Sequence, residues 1–266
     1  MANHIDTKKY VYVLKHLHSI TNRVCSNIVI CMLSCAAVDG KKFVAMDITF
    51  ENTAGPEEGQ AVALRSDFDY SIFYRCGIRG YQDTLYAHHN HQFYRECRIS
   101  GTMDFIFGDA LVVFQKCEIL PRQALPGQSN TITAQGCEKA NSNTGFSFHL
   151  CNITGDSDLI SSANPTPTFL GRPWKTYSRT VFMETFMSNI INPEGWLRWT
   201  SSFKSTLFYG EYKNTSPGAS IDKRVNWPGV HSLDSSQAQL YTVSQFIKGN
   251  SWLPPTGIPY NGGLDG

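Results

Sequence analysis

A segment of about twenty residues recurs along the middle of this chain, and that recurrence limits the fold more than any other feature. Phe73-Tyr-Arg-Cys76-Gly-Ile78-Arg-Gly80 is echoed by Phe93-Tyr-Arg-Glu-Cys97-Arg-Ile99-Ser-Gly101. Weaker copies follow at Val113-Phe-Gln-Lys-Cys117-Glu-Ile119 and Phe146-Ser-Phe-His-Leu-Cys151-Asn-Ile153, and an earlier relative lies at Phe43 to Phe50. The cysteine steps are 21 (97 − 76) and 20 (117 − 97), and the next step of 34 (151 − 117) fits one coil with a loop inserted. A period near 20 residues is the mark of a solenoid. Each unit alternates apolar and polar residues and is rich in Phe, Tyr, Ile and Val, so it reads as strand. One such unit cannot bury its apolar side alone, but stacked coils can. No amphipathic helices alternate with the strands, which argues against a doubly wound sheet or a (β/α)8 barrel. The leucine pattern of a leucine-rich repeat is missing. The expected fold is all-β, a parallel β-helix. Its repeat fades after about residue 200 into a Gly/Pro-rich tail, expected to pack along the coils or to cap one end.

The same repeat carries a candidate chemistry. Gly80-Tyr-Gln-Asp83 and Gly101-Thr-Met-Asp104 hold matching places in successive units, 21 residues apart (104 − 83). Two carboxyls on neighbouring coils of one face cannot both ionise cheaply, so one is expected to be raised in pKa and the other to stay a carboxylate. That division suits an acid and a nucleophile. The alternative is an Asp ladder that caps backbone amides at coil turns. Gln60 lies about one coil before Asp83 and Gln82 adjoins it, so amide donors stand ready for an oxyanion. Phe73, Tyr81, Tyr86, Phe105 and Phe107 crowd the region, either as core or as flat surfaces for a sugar. In Leu170-Gly-Arg172-Pro-Trp174-Lys175, an Arg beside a Trp can anchor a carboxylate and stack on a sugar ring, or simply form a surface turn.

Composition narrows the class. A net charge of +1 gives no field that would recruit nucleic acid or an anionic membrane. Eight cysteines without CxxC pairs do not read as a zinc site. The trio His88, His89 and His91 lacks the H-E-x-x-H pattern, so neither metal nor cofactor is expected. No G-x-S-x-G elbow supports a serine esterase. Asn152-Ile-Thr and Asn214-Thr-Ser permit N-glycosylation. The apolar run from Ile28 to Val38 reads either as a signal-type segment or as a buried strand.

GYQDTLY (Gly80 to Tyr86), GTMDFIFG (Gly101 to Gly108) and LGRPWK (Leu170 to Lys175) resemble the signature blocks of plant-type pectin methylesterases. QAVALRS from Gln60, NTITAQG from Asn130, Gly195-Trp196 and Trp252-Leu-Pro agree in order and rough spacing. The resemblance runs from about residue 38 to the C-terminus. It divides the chain into an atypical segment, 1–37, and a β-helix domain, 38–266. It implies a right-handed parallel β-helix that hydrolyses galacturonate methyl esters, with Asp104 as nucleophile and Asp83 as proton donor. It further implies that Gln60 and Gln82 steady the tetrahedral intermediate and that Arg172 positions nucleophile and substrate. Trp174 is implied to touch the sugar, with Gln60, Arg172, Tyr81 and Phe105 beside it. The family disulfide is implied to join Cys97 to Cys117. The implied partners are homogalacturonan pectin and a proteinaceous inhibitor, and the implied setting is a secreted monomer in the plant cell wall. Asp109 stands where the family has Asn, and its charge is expected near Asp104. Residues 1–37 do not match the family's opening coils, which leaves open a pectin-binding relative without turnover.

Overall fold

The computed structural model describes residues 28–29, 34–38, 42–198 and 204–265. Three sheets, of seven, eight and six strands, form the walls of a parallel β-helix. One coil runs through Val62–Ser66, Ser71–Tyr74 and Gly77–Arg79, then re-enters the first sheet at Leu85–Ala87. The next coil follows with His91–Arg95, Arg98–Gly101 and Ile106–Gly108. It is succeeded by Leu111–Gln115, Glu118–Pro121 and Asn130–Gln135. Every pairing between these strands is parallel and in register.

The register stacks like on like inside the solenoid. Phe73, Tyr94, Phe114, Phe148 and Phe182 form one column, with successive ring centroids 4.7, 4.8, 4.6 and 4.6 Å apart. These spacings follow from the distance between neighbouring strands. Each ring is fully buried, which contributes roughly 2–3 kcal/mol per side chain from lost water contact. The long step from Phe114 to Phe148 holds residues 122–129 and 136–144, two loops that leave the coil and return to it.

Sharp corners separate the sheets. Arg75, Glu96, Lys116, Leu150, Glu184 and Lys213 all adopt left-handed backbone, with φ between 43° and 56°. A single left-handed residue turns the chain from the second sheet into the third on each coil. The cysteine that follows in the four inner coils points inward. Cys76, Cys97, Cys117 and Cys151 stack as a buried column of thiols. Each Sγ–H reaches a carbonyl of the preceding coil, Cys97 that of Phe73 at 3.2 Å and Cys117 that of Tyr94 at 3.5 Å. The Cys97–Cys117 disulfide implied by the resemblance is therefore not formed in this structure. The stacking sets each inner sulfur between two sulfur neighbours, and each thiol turns to a carbonyl.

The tail packs along the coils. Val243, Ile247, Leu253 and Ile258 cover Ile72, Phe93 and Val113 on the outer face of the second sheet. Behind them, Asn261 accepts from Arg95 and exchanges hydrogen bonds with Gln115. At the other end, Ser34–Val38 pairs in parallel with Val62–Ser66, and Ile28–Val29 runs antiparallel along its free edge. Part of the apolar run is thus strand backbone of the first sheet, and the rest of 1–37 lies outside the described residues. Among the described residues no helix is long and apolar enough to cross a membrane.

Candidate active site

Asp83 and Asp104 sit at the corner where the third sheet turns into the first, on successive coils. Both take left-handed backbone, with φ of 61° and 50°. This conformation is rare for a residue with a side chain, and Asp is among those that tolerate it. It throws both carboxyls out of the coil into a cleft of about 210 Å³ lined by Gln60, Asp83, Asp104, Phe107, Ala134, Arg172 and Trp174.

The two carboxyls have unlike surroundings. Arg172 grips Asp104 in a fork, with Nε 2.8 Å from Oδ1 and Nη2 2.5 Å from Oδ2. Thr131 Oγ1 donates to Asp104 Oδ1 at 2.6 Å. Among the described residues no hydrogen-bond donor reaches the Asp83 carboxyl. Burial in the cleft wall pushes Asp83 up to about 8, the charge of Asp104 adds to the rise, and Arg172 opposes it. At neutral pH the pair is a protonated acid beside an arginine-bound carboxylate. Such a site can attack a carbonyl carbon and protonate a leaving alcohol.

The cleft floor continues along the first sheet. Tyr86 and Phe107 are register partners that face outward, their rings stacked with centroids 4.4 Å apart. Trp174 meets Phe107 edge-on at 6.0 Å and keeps 40% of its surface exposed. Its ring lies over Gly136, where a Cβ would come within 2.6 Å of Trp174 Cε3. Any side chain at 136 would lift the ring from the floor.

Other expected site residues fall elsewhere. Phe105 is fully buried among core side chains and cannot meet a ligand. Its place in the cleft belongs to Phe107, because the corner at Asp104 resets which residues point outward. Tyr81 stands beside the cleft, its ring under the Arg122 guanidinium at 3.9 Å and its hydroxyl accepting from Arg122 at 2.8 Å. Gln82 adjoins Asp83 and its carbonyl accepts from the amide of Ala61, but its side chain is not part of the cleft lining. The residue that sequence reasoning missed is Thr131. It sits in the NTITAQG block, but 27 residues from Asp104 (131 − 104), outside the period that exposed the aspartates.

Asp109 accepts hydrogen bonds from Gln135 at 3.0 Å and from Thr144, and burial raises its pKa. Asp109 is thus tied to Gln135 and Thr144 and is not among the residues that line the cleft. The three histidines are divided among separate partners. His88 pairs with Asp67, His91 pairs with Asp69 at 2.8 Å, and His89 lies against His88 with ring centroids 3.8 Å apart. Among the described residues no cluster of His, Cys, Asp and Glu is arranged to hold a metal ion. The Asn214 side chain is tied to Phe182 and Thr185, whereas Asn152 is exposed.

Known proteins resemble this chain in sequence and in fold. The family model described as pectinesterase matches residues 19–250, beginning upstream of the first recognisable motif. A pectinesterase/pectinesterase inhibitor of Prunus persica is 63% identical over 227 residues, covering 84% of this chain and 44% of the relative. The chain thus spans less than half the length of that curated relative. The solved pectin methylesterase from carrot superposes with a TM-score of 0.86 at 49% identity, covering 87% of this chain and 73% of the carrot protein. The pectin methylesterase of Aspergillus niger gives a TM-score of 0.72 at 31% identity, covering 83% and 68%. With a matched fold and a family model that spans most of its length, this chain belongs to the pectinesterase family.

Proposed function

We propose that this chain removes methyl groups from methyl-esterified homogalacturonan, releasing methanol and leaving free carboxylates. The observation that carries the reading is the unequal pair, Asp104 held by Arg172 and Asp83 pushed up to about 8, facing one cleft. Asp104 attacks the C6 ester carbonyl and forms a tetrahedral intermediate. Gln60 on the cleft wall meets the charge on the carbonyl oxygen. The intermediate collapses, the bond from carbon to methoxy oxygen breaks, and Asp83 gives that oxygen its proton. Methanol leaves and an acyl-Asp104 anhydride remains. Asp83, now a carboxylate, takes a proton from water, whose oxygen attacks the acyl carbon. Asp104 departs as a carboxylate, and both groups return to their starting states.

Trp174 and Phe107 offer apolar faces to the sugar rings. The likeness to plant pectinesterases supports a setting in the cell wall. The Prunus persica relative is named as a pectinesterase inhibitor as well as a pectinesterase, which makes a proteinaceous inhibitor a natural partner. The test is methanol release from methylated pectin by the wild-type chain and by Asp104→Asn. Release by the wild type and its loss in a folded variant are expected. Near-normal turnover in the variant rejects the assignment, and pectin binding without turnover by the wild type turns the reading to a binding relative.

A further inference from the structure

Asp83 and Asp104 are equivalent by position, yet the coil above treats them differently. Both are left-handed and both need a partner for the backbone N–H that this conformation turns upward. Asp83 N–H finds the Met103 carbonyl of the next coil at 3.0 Å. Asp104 N–H finds no carbonyl. It donates instead to the Thr131 hydroxyl at 2.8 Å, and the same hydroxyl hands its own proton to Asp104 Oδ1 at 2.6 Å. Thr131 is fully buried, so water does not compete for this hydroxyl.

We propose that Thr131 is the positioning residue that makes Asp104, rather than its twin, the nucleophile. This rests on the esterase reading of the site. One hydroxyl closes a ring with the amide and the carboxylate of the same residue, which fixes backbone and side chain together. Oδ1 accepts from Thr131 and from Arg172 Nε at 2.8 Å, and Oδ2 accepts from Arg172 Nη2 at 2.5 Å and Nε at 3.0 Å, so the guanidinium bridges both oxygens while the hydroxyl ties one of them to the backbone amide. Asp83 has no such hydroxyl and no guanidinium fork, so it keeps its proton and serves as the acid.

The experiment compares the wild-type chain with Thr131→Val, Thr131→Ala and Thr131→Ser, by methanol release on methylated pectin. Losing a hydrogen bond to a charged group predicts a fall in kcat of about 10- to 100-fold for Val and Ala, with KM within about twofold of wild type. Ser, which keeps the hydroxyl, retains most of the activity. Ala covers the case in which Val does not fold. Undiminished kcat in Val or Ala, beside an active wild type, overturns the role of Thr131 alone. Ser as impaired as Val also overturns it. A folded wild-type chain that releases no methanol overturns the esterase reading, and this inference with it.

Discussion

Asparagine at position 83 gives the sharpest physical test of the site, because it keeps the shape of the acid and removes its titration. The Asp83 carboxyl moves from an ordinary 3.8 to about 8 in the folded chain, chiefly through burial and then through the charge of Asp104. Between those values the folded state holds a proton that the unfolded chain has released. Stability therefore falls as pH rises through this window. At 1.36 kcal/mol per unit, the cost accumulated between about pH 4 and about pH 9 comes to about 5 kcal/mol. That is a large share of the 5–15 kcal/mol that holds a typical domain together. Asp83→Asn does not bear this cost. Urea unfolding of both proteins over the same pH range should show Asn gaining on the wild type by about that amount, with the gap opening steadily. The other titrations are common to the pair and cancel to first order. Parallel stability curves would refute the claim that Asp83 is buried as a neutral acid, and with it the division of labour between the two aspartates.

Phe148→Ala removes a ring stacked between Phe114 and Phe182 at 4.6 Å on each side and should cost about 3–5 kcal/mol in urea unfolding; a loss under about 1 kcal/mol would deny the column its part in the core. Gly108 has φ of +126°, and a Cβ there would lie 2.0 Å from the Ala87 carbonyl oxygen. Gly108→Ala should therefore lower stability by roughly 3 kcal/mol and weaken methanol release, since it displaces the strand that carries Phe107; unchanged melting would contradict the close approach of the two coils.

The fold was legible because a solenoid repeats its physics in its sequence. Each coil solves the same burial problem with the same residue types, so spacing alone exposed the stack, and Asp83 and Asp104 appeared in it as matching positions. The repeat was ambiguous by one residue, however. Read by its aromatics, Phe73 matches Phe93; read by its cysteines, it matches Tyr94. The structure takes the second register, Phe73 against Tyr94, because the extra Glu96 forms the left-handed corner. A slip of one residue would turn every side chain of that strand to the other face.

What the sequence determined by itself was the period, the strand character of each unit and the meeting of two carboxyls once per turn. These depend only on distance along the chain. The tertiary structure decided which side chains look outward, and it sent Phe105 into the core while opening Phe107 to the cleft. It also stacked Cys97 and Cys117 as thiols in a column, and it brought Arg172 and Thr131 onto one of two like aspartates. Those outcomes depend on corner residues that reset the alternation and on loops of unequal length that return to the same wall. Neither leaves a periodic trace, because each is fixed by what the neighbouring coil presents rather than by the residues on either side.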